Sequence, residues 1–174
     1  MAYAPFNLAG KVALVTGGNR GIGLGMASAL AQSGADIVIW GSNAERNQAA
    51  EGELLKHGVR VKAQTVDVSD ETQVGEAMVE AVEAMGRVDS VFANAGVGFG
   101  SPSFVDMQTE TYRKILAVNL DGVFFTLREA CRHMVARSKA GDPGGSLMVT
   151  SSTAAIRSSD CRLISGLRSR RNPH

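Results

Sequence analysis

The chain is poor in cysteine, in long apolar runs and in net charge, and each shortage excludes a class of protein. Two cysteines in 174 residues, Cys131 in a helical stretch and Cys161 in the C-terminal tail, have neither the density of a disulfide scaffold nor the spacing of a metal-ligand set, so both read as plain thiols and no metal is expected. No segment approaches the roughly 20 consecutive apolar residues of a membrane span. The opening MAYAPFNLAG lacks the charged start and apolar centre of a signal peptide. A cytoplasmic location without membrane association is the expectation. The formal charge is only +1. Because residues 157–174 carry five arginines against Asp160, residues 1–156 are mildly acidic and give no reason to expect a nucleic-acid partner. Linker-like composition is also missing, so at 44% hydrophobic and 20% charged residues the chain reads as one domain with a sizeable core.

Short β-branched runs alternate with longer helical ones. Lys11 to Thr16, Ala35 to Trp40, Arg60 to Val68, Val88 to Gly96 and Gly145 to Ser152 are strand candidates. Between them, Gly21 to Ser33, Ala44 to His57, Glu71 to Met85, and Thr109 to Ala117 running into Asp121 to Ser138 read as helices. Crossovers long enough to hold a helix predict an α/β fold with a doubly wound parallel sheet covered on both faces. Gly34, Gly58 and Gly86 each stand at a helix end before the next strand, where positive φ is useful. The last strand candidate is apolar on both faces, yet no further strand pattern comes after it. That predicts a sheet incomplete at its C-terminal side, with an exposed edge that favours homo-oligomers or aggregation.

The turn VALVTGGNRGIGLG joins the first strand to the first helix. Gly17 permits a tight turn, Gly21 lets backbone approach a pyrophosphate, and Gly23 lets helix and sheet pack closely, while the helix start supplies amide donors. This context is that of a Rossmann-like dinucleotide site. At the end of the second strand, Gly41, Ser42 and Asn43 stand where an NAD-selecting acid would be expected. Without that acid a 2′-phosphate meets no repulsion, and Arg20, with Arg46 less surely, offers positive charge, so NADP is expected ahead of NAD. The alternatives are that Arg20 simply faces solvent and that Arg46 pairs with Glu45 or another local acid.

Further along, Asp67 is placed to accept from an adenine amino group and the Val68 amide to meet a ring nitrogen, with Ser69 or Asp70 as alternatives that only cap the next helix. Asn94, Ala95 and Gly96 end the fourth strand, on the side of such a sheet where ligands collect. Asn119 is polar inside an apolar helical stretch; an unpartnered amide there would cost about 1 to 3 kcal/mol, so a local hydrogen bond satisfies it or it orders a water.

Taken in order, TGGNRGIG, DVSD, NAG, Asn119 and the strand leading to Ser151 and Ser152 resemble the classical short-chain dehydrogenase/reductase family over nearly all of residues 7–156. The resemblance implies that the Thr16 to Gly23 segment, with Thr16, Asn19 and Ile22 beside the residues above, and Ser42 at the second strand's end, binds the cofactor. It also implies that Asp67 and Val68 contact adenine, that Asn94 to Gly96 stabilise the central strand beside the cofactor, and that Asn119 maintains a helix kink and an ordered water. Ser152 would hydrogen-bond the oxygen of a small carbonyl or alcohol substrate. The family places a Tyr-x-x-x-Lys pair downstream of that serine. Here no tyrosine follows Tyr112 and no lysine follows Lys139.

Carbonyl reduction needs a hydride and a proton, and an unactivated serine hydroxyl is poorly matched to the second task near neutral pH. The expectation is a dinucleotide-binding domain at 1–156, incomplete, with a disordered basic tail at 157–174. Its family chemistry is NADP-dependent interconversion of a carbonyl and a secondary alcohol, in which this chain is deficient. A non-catalytic NADP-binding or interaction protein, or a fragment without function, is the alternative. Residues 97–108 are expected at the active-site mouth and leave the substrate unidentified.

Overall fold

A computed structural model describes residues 6–98 and 105–152. The basic tail with Cys161, and residues 99–104 of the expected active-site mouth, lie outside the described residues. The elements run β1 (Val12–Thr16), α1 (Gly21–Gln32), β2 (Asp36–Gly41), α2 (Ala44–Leu54), a 3-10 turn (Leu55–His57), β3 (Val61–Thr65), α3 (Glu71–Met85), β4 (Ser90–Ala93), α4 (Thr109–Leu116), a π turn (Ala117–Asp121), α5 (Gly122–Lys139) and β5 (Ser146–Val149). The five strands form one sheet in the order β3-β2-β1-β4-β5. Every pairing is parallel. The chain first winds outward from β1 to β3 and then crosses back to β4 on the other side, which puts a topological switch point between β1 and β4.

Alternation along the central strands feeds two separate cores. Val12 and Leu14 of β1, with Val38 and Trp40 of β2, pack under α3 and α5, where Val74, Ala77, Met78, Ala81, Met85 and Ala130 meet them. Ala13, Val15, Ile37 and Ile39 face the other way, onto Ala27, Ala31, Ala50 and Leu54 of α1 and α2. The positions 74, 77, 78, 81 and 85 are the i, i+3, i+4 stripe of an amphipathic helix. Asn43 and Asp70 cap α2 and α3 by accepting amide bonds from their first turns, and Gly34, Gly58 and Gly86 take φ of +94°, +77° and +81° before the next strands. Thus Asp70, not Ser69, is the helix cap.

Four of the five expected strands come out shorter, β1 by one residue only. β3 ends at Thr65 because its partner β2 ends at Gly41, whose carbonyl accepts from Val66 as the last bond of that ladder. β4 begins only at Ser90 because Asp89 turns its carboxylate onto the Val12 amide, and it ends at Ala93 because the next amides bond to Thr16 instead of a strand. β5 pairs with β4 alone among the described residues. Leu147 and Val149 are 39% and 53% exposed, whereas the apolar residues of β1 are 0–2% exposed, so the expected bare edge is present. Size-exclusion chromatography of the 174-residue chain should therefore show self-association; a monodisperse monomer would contradict this reading of the edge.

The N-terminal end of the sheet is held by charge. Asp89, 7% exposed, accepts from the Val12 amide at 2.9 Å, from Arg87 through Nε and Nη2 and from Arg137 of α5 at 3.3 Å. Arg137 also donates to the Val88 carbonyl at 2.9 Å and pairs with Asp142 at 3.0 Å. His133 completes the clamp: its Nε2 accepts from the Val88 amide at 3.1 Å, which requires the neutral ring. Burial, then the neighbouring Arg137, lower the His133 pKa below its ordinary 6.5. Burial alone would raise Asp89, but the Arg87 donors, the Val12 amide and the two arginine charges outweigh it and hold the carboxyl below 3.8. Both groups thus contribute stability that is present above their unfolded pKa values and lost as pH falls through the lowered folded ones. Melting temperature should decline as pH falls below the ordinary histidine value of 6.5 through the His133 contribution, and again below 3.8 through Asp89. Asp89→Asn should cost roughly 3 kcal/mol and shrink the second decline, to which the lowered Asp70 and Asp142 also contribute.

Candidate cofactor site

A cleft of about 480 Å³ opens at the C-terminal ends of β1, β2 and β4, a volume within the usual range for small-molecule sites. Gly17, Asn19, Arg20, Gly21, Ile22 and Gly23 form one wall, Gly41, Ser42, Asn43 and Arg46 a second, Asp67 and Val68 a third, and Asn94, Ala95 and Gly96 the floor. Three expected residues stand outside this lining. Thr16, Asn119 and Ser152 support or flank the cleft.

The glycine turn is built by close approach. The Gly17 and Gly18 amides donate to the Trp40 carbonyl at 2.7 and 3.3 Å, tying the end of β1 to β2. Gly17 has φ +64°, and a Cβ on Gly23 would stand 2.2 Å from the Gly17 oxygen and 2.6 Å from Asn94 Nδ2. Neither position accepts a side chain. Gly21 has φ +54° with nothing within 4 Å of where a Cβ would project, so its backbone borders open space. Helix α1 begins there with no capping side chain and no acid in its first turn, whereas α2 and α3 each have both. The first amides of α1 therefore face the cleft as uncompensated donors, an arrangement suited to the pyrophosphate of a dinucleotide.

Thr16 is 2% exposed and works beneath the cleft. Its Oγ1 accepts from the Asn94 and Ala95 amides, both at 2.9 Å, and donates to the Phe92 carbonyl at 3.4 Å. Asn94 Nδ2 donates to the Thr16 carbonyl at 3.0 Å, and its Oδ1 accepts from Thr150 Oγ1 at 3.1 Å. Asn94 thus links β1, β4 and the end of β5. Asn119 lies on the π turn and clamps the backbone of Val97, accepting from its amide at 2.8 Å and donating to its carbonyl at 2.9 Å. These bonds to Val97 satisfy the Asn119 amide. Val97 and Val118 themselves line the cleft, so Asn119 holds that wall by its neighbours. Ser152 is exposed, two residues beyond Thr150, which lines the cleft.

Asp67 keeps Oδ1 on its own turn, accepting from the Ser69 amide at 3.0 Å and hydroxyl at 2.7 Å, while remaining on the cleft wall. Among the described residues neither Arg20 nor Arg46 joins an ion pair; both border the cleft. Val97, from the segment expected at the mouth, is on a wall, whereas sequence reasoning did not single out Trp40, Val66, Val118 or Thr150 there, nor Asn47 behind them. Thr150 was within reach of the rule that ligands gather at strand ends; the others depend on which side chains meet across the sheet.

This fold and cleft define a dinucleotide-binding α/β domain. The short chain dehydrogenase family model matches residues 11–162, and the chain belongs to that family. It is similar to a sorbose reductase of Candida albicans, 37% identical over 148 residues that make up 84% of this chain and 51% of the relative. Among solved structures, an NAD+-bound xylitol dehydrogenase aligns with TM-score 0.83 at 28% identity over 88% of this chain and 57% of that one. An NADPH-dependent 3-quinuclidinone reductase from Rhodotorula rubra aligns with TM-score 0.78 at 32% identity over 87% and 56%. The chain spans about half the length of the relatives it matches.

Gly23→Ala should abolish nucleotide binding and destabilise the fold by about 1 to 3 kcal/mol, because the added methyl meets fixed backbone. Gly25→Ala, on the same helix with open space around its Cβ, should stabilise by up to about 1 kcal/mol. Urea melts and nucleotide titration of the two variants check the contrast.

Proposed function

We propose that this chain carries the cofactor half of a short-chain dehydrogenase/reductase that uses NADP(H) to interconvert a small carbonyl compound and a secondary alcohol. The observation that carries the reading is the cleft at the switch point: donors of the α1 start on one wall, no acid at positions 41–43, and Arg20 and Arg46 bordering it without ion pairs among the described residues. Relatives of similar fold use either nicotinamide cofactor, so the preference is argued from these residues. The α1 amides would hold the pyrophosphate, Arg20 the 2′-phosphate, and Asp67, through the oxygen not bonded to Ser69, the adenine amino group. The nicotinamide supplies or accepts the hydride.

Ser152 would hold the substrate oxygen, but a second group must deliver the proton to the forming alkoxide. No Tyr-x-x-x-Lys follows Ser152 in these 174 residues. Arginines stay protonated and are poor acids. The 174-residue chain is therefore expected to bind the cofactor and to give little turnover, which makes cofactor binding without catalysis the second reading of its activity. The cytoplasm remains the expected location, and no helix of the described residues is long and apolar enough to cross a membrane.

Calorimetry on the 174-residue chain should give tighter binding of NADPH than of NADH. Arg20→Ala should weaken NADPH by about tenfold, the worth of a charge-assisted phosphate contact, with NADH little changed. Equal affinity for the two nucleotides would defeat the cofactor assignment. Grafting a C-terminal half that bears Tyr-x-x-x-Lys should restore NADPH-dependent carbonyl reduction, and Ser152→Ala in that graft should lower kcat by about 100-fold. Robust turnover by the ungrafted chain would overturn the deficiency.

A further inference from the structure

A buried amide bridge closes one wall of the cleft. Asn47 of α2 is 3% exposed, and its Nδ2 donates to the Gly41 carbonyl at 2.8 Å and the Gln64 carbonyl at 3.0 Å, with Thr65 Oγ1 at 3.3 Å. Reversing this amide would set its oxygen against two carbonyls, so its orientation is forced. The oxygen accordingly turns toward the glycine turn, where it accepts from Asn19 Nδ2 at 2.7 Å. Asn19 immediately precedes Arg20.

The bridge also occupies space. A Cβ on Gly41 would lie 2.2 Å from Asn19 Nδ2 and 2.5 Å from Asn47 Oδ1. A side chain at position 41 and the Asn19 to Asn47 contact therefore exclude each other. Position 41 ends β2, the place from which a carboxylate reaches a ribose diol in an NAD-selecting site.

We infer that Asn47 is a positioning residue for cofactor selectivity, acting through Asn19: it anchors the turn that presents Arg20 and closes position 41 to an acid. This rests on the NADP(H) preference proposed above. Arg20 has an extended backbone (φ −166°, ψ 165°) and no side-chain capping bond, so the Asn19 anchor next to it fixes the direction from which the guanidinium starts. Losing the anchor leaves Arg20 in place but imposes an ordering cost when a phosphate is bound. NADH lacks that phosphate and escapes the cost.

The test is the ratio of NADPH to NADH affinity, measured by calorimetry on the 174-residue chain and its variants. Asn47→Ala removes a donor from both the Gly41 and Gln64 carbonyls and can lower stability, so two gentler variants carry the test. Asn19→Ala leaves all the Asn47 backbone bonds intact. Gly41→Ala keeps both asparagines and forces them apart. Each is expected to reduce the ratio of NADPH to NADH affinity by about fivefold, the size of a coupling near 1 kcal/mol. Adding Asn19→Ala to Arg20→Ala should change the ratio no further. Equal weakening of both nucleotides, or an unchanged ratio, would overturn the inference while leaving the cofactor reading intact. A parent chain with no NADPH preference would overturn the cofactor reading first, and the inference with it.

Discussion

The hydroxyl of Thr16 is the junction on which the cleft depends. At the switch point β1 and β4 must part so that a ligand can enter between the turns at their C-terminal ends, yet strands that part leave their amides without ladder partners. Thr16 Oγ1 resolves the conflict by accepting from Asn94 and Ala95, the first amides beyond β4. Asn94 then returns a bond to the Thr16 carbonyl. The floor of the cleft is thereby fixed by side chains at the point where the regular sheet stops. Two sides of the cleft are referred to that floor: Gly23 packs against Asn94 and the Gly17 oxygen, and the Gly96 segment continues to the Val97 backbone held by Asn119.

The same two strands are joined at their opposite ends by different chemistry. There Asp89 bonds the Val12 amide and gathers Arg87 and Arg137, a charged clamp that draws α5 onto the sheet. A buried carboxylate of this kind is tolerated only because its partners are complete, and it offers no vacant donor to a ligand. The cleft end is arranged in the reverse sense, with neutral amides satisfying one another and the α1 amides left for an anion. The self-contained charged clamp at one end and the vacant donors at the other separate what holds β1 and β4 together from what they can bind.

Much of this was legible in the sequence because it arises from local rules. The period of 74, 77, 78, 81 and 85 and the Asp70 cap define α3 at Glu71–Met85 as observed, and glycines at 34, 58 and 86 mark the helix ends by their conformational freedom. Most expected cleft residues come together because the TGGNRGIG turn and the strand ends are set by that same alternation. What escaped depends on contacts across the sheet. Thr16 was expected to face a cofactor, but a residue at the end of a fully buried strand turns its hydroxyl to whichever neighbouring amides lack partners, and those belong to residues 94 and 95. Asn47 was not singled out at all, since nothing local reveals that two strand ends terminate beside it.

The π turn shows how such a cross-sheet contact can reshape an element that local rules treat as regular. Val68, beyond the end of β3, lies close to Gly122, where a Cβ would stand 2.8 Å from Val68 Cγ2 and 3.0 Å from its carbonyl oxygen. The helical chain must pass this point and also bring Asn119 to the Val97 backbone. Widening at Ala117–Asp121 inserts the extra residue that lets both contacts be made by one continuous helical segment, a use of π geometry that recurs beside functional sites. Glycine at 122 meets the first demand and asparagine at 119 the second, so the polar intrusion in an apolar stretch is a consequence of fitting α4 and α5 around the Val68 side and the β4 side of the cleft at once.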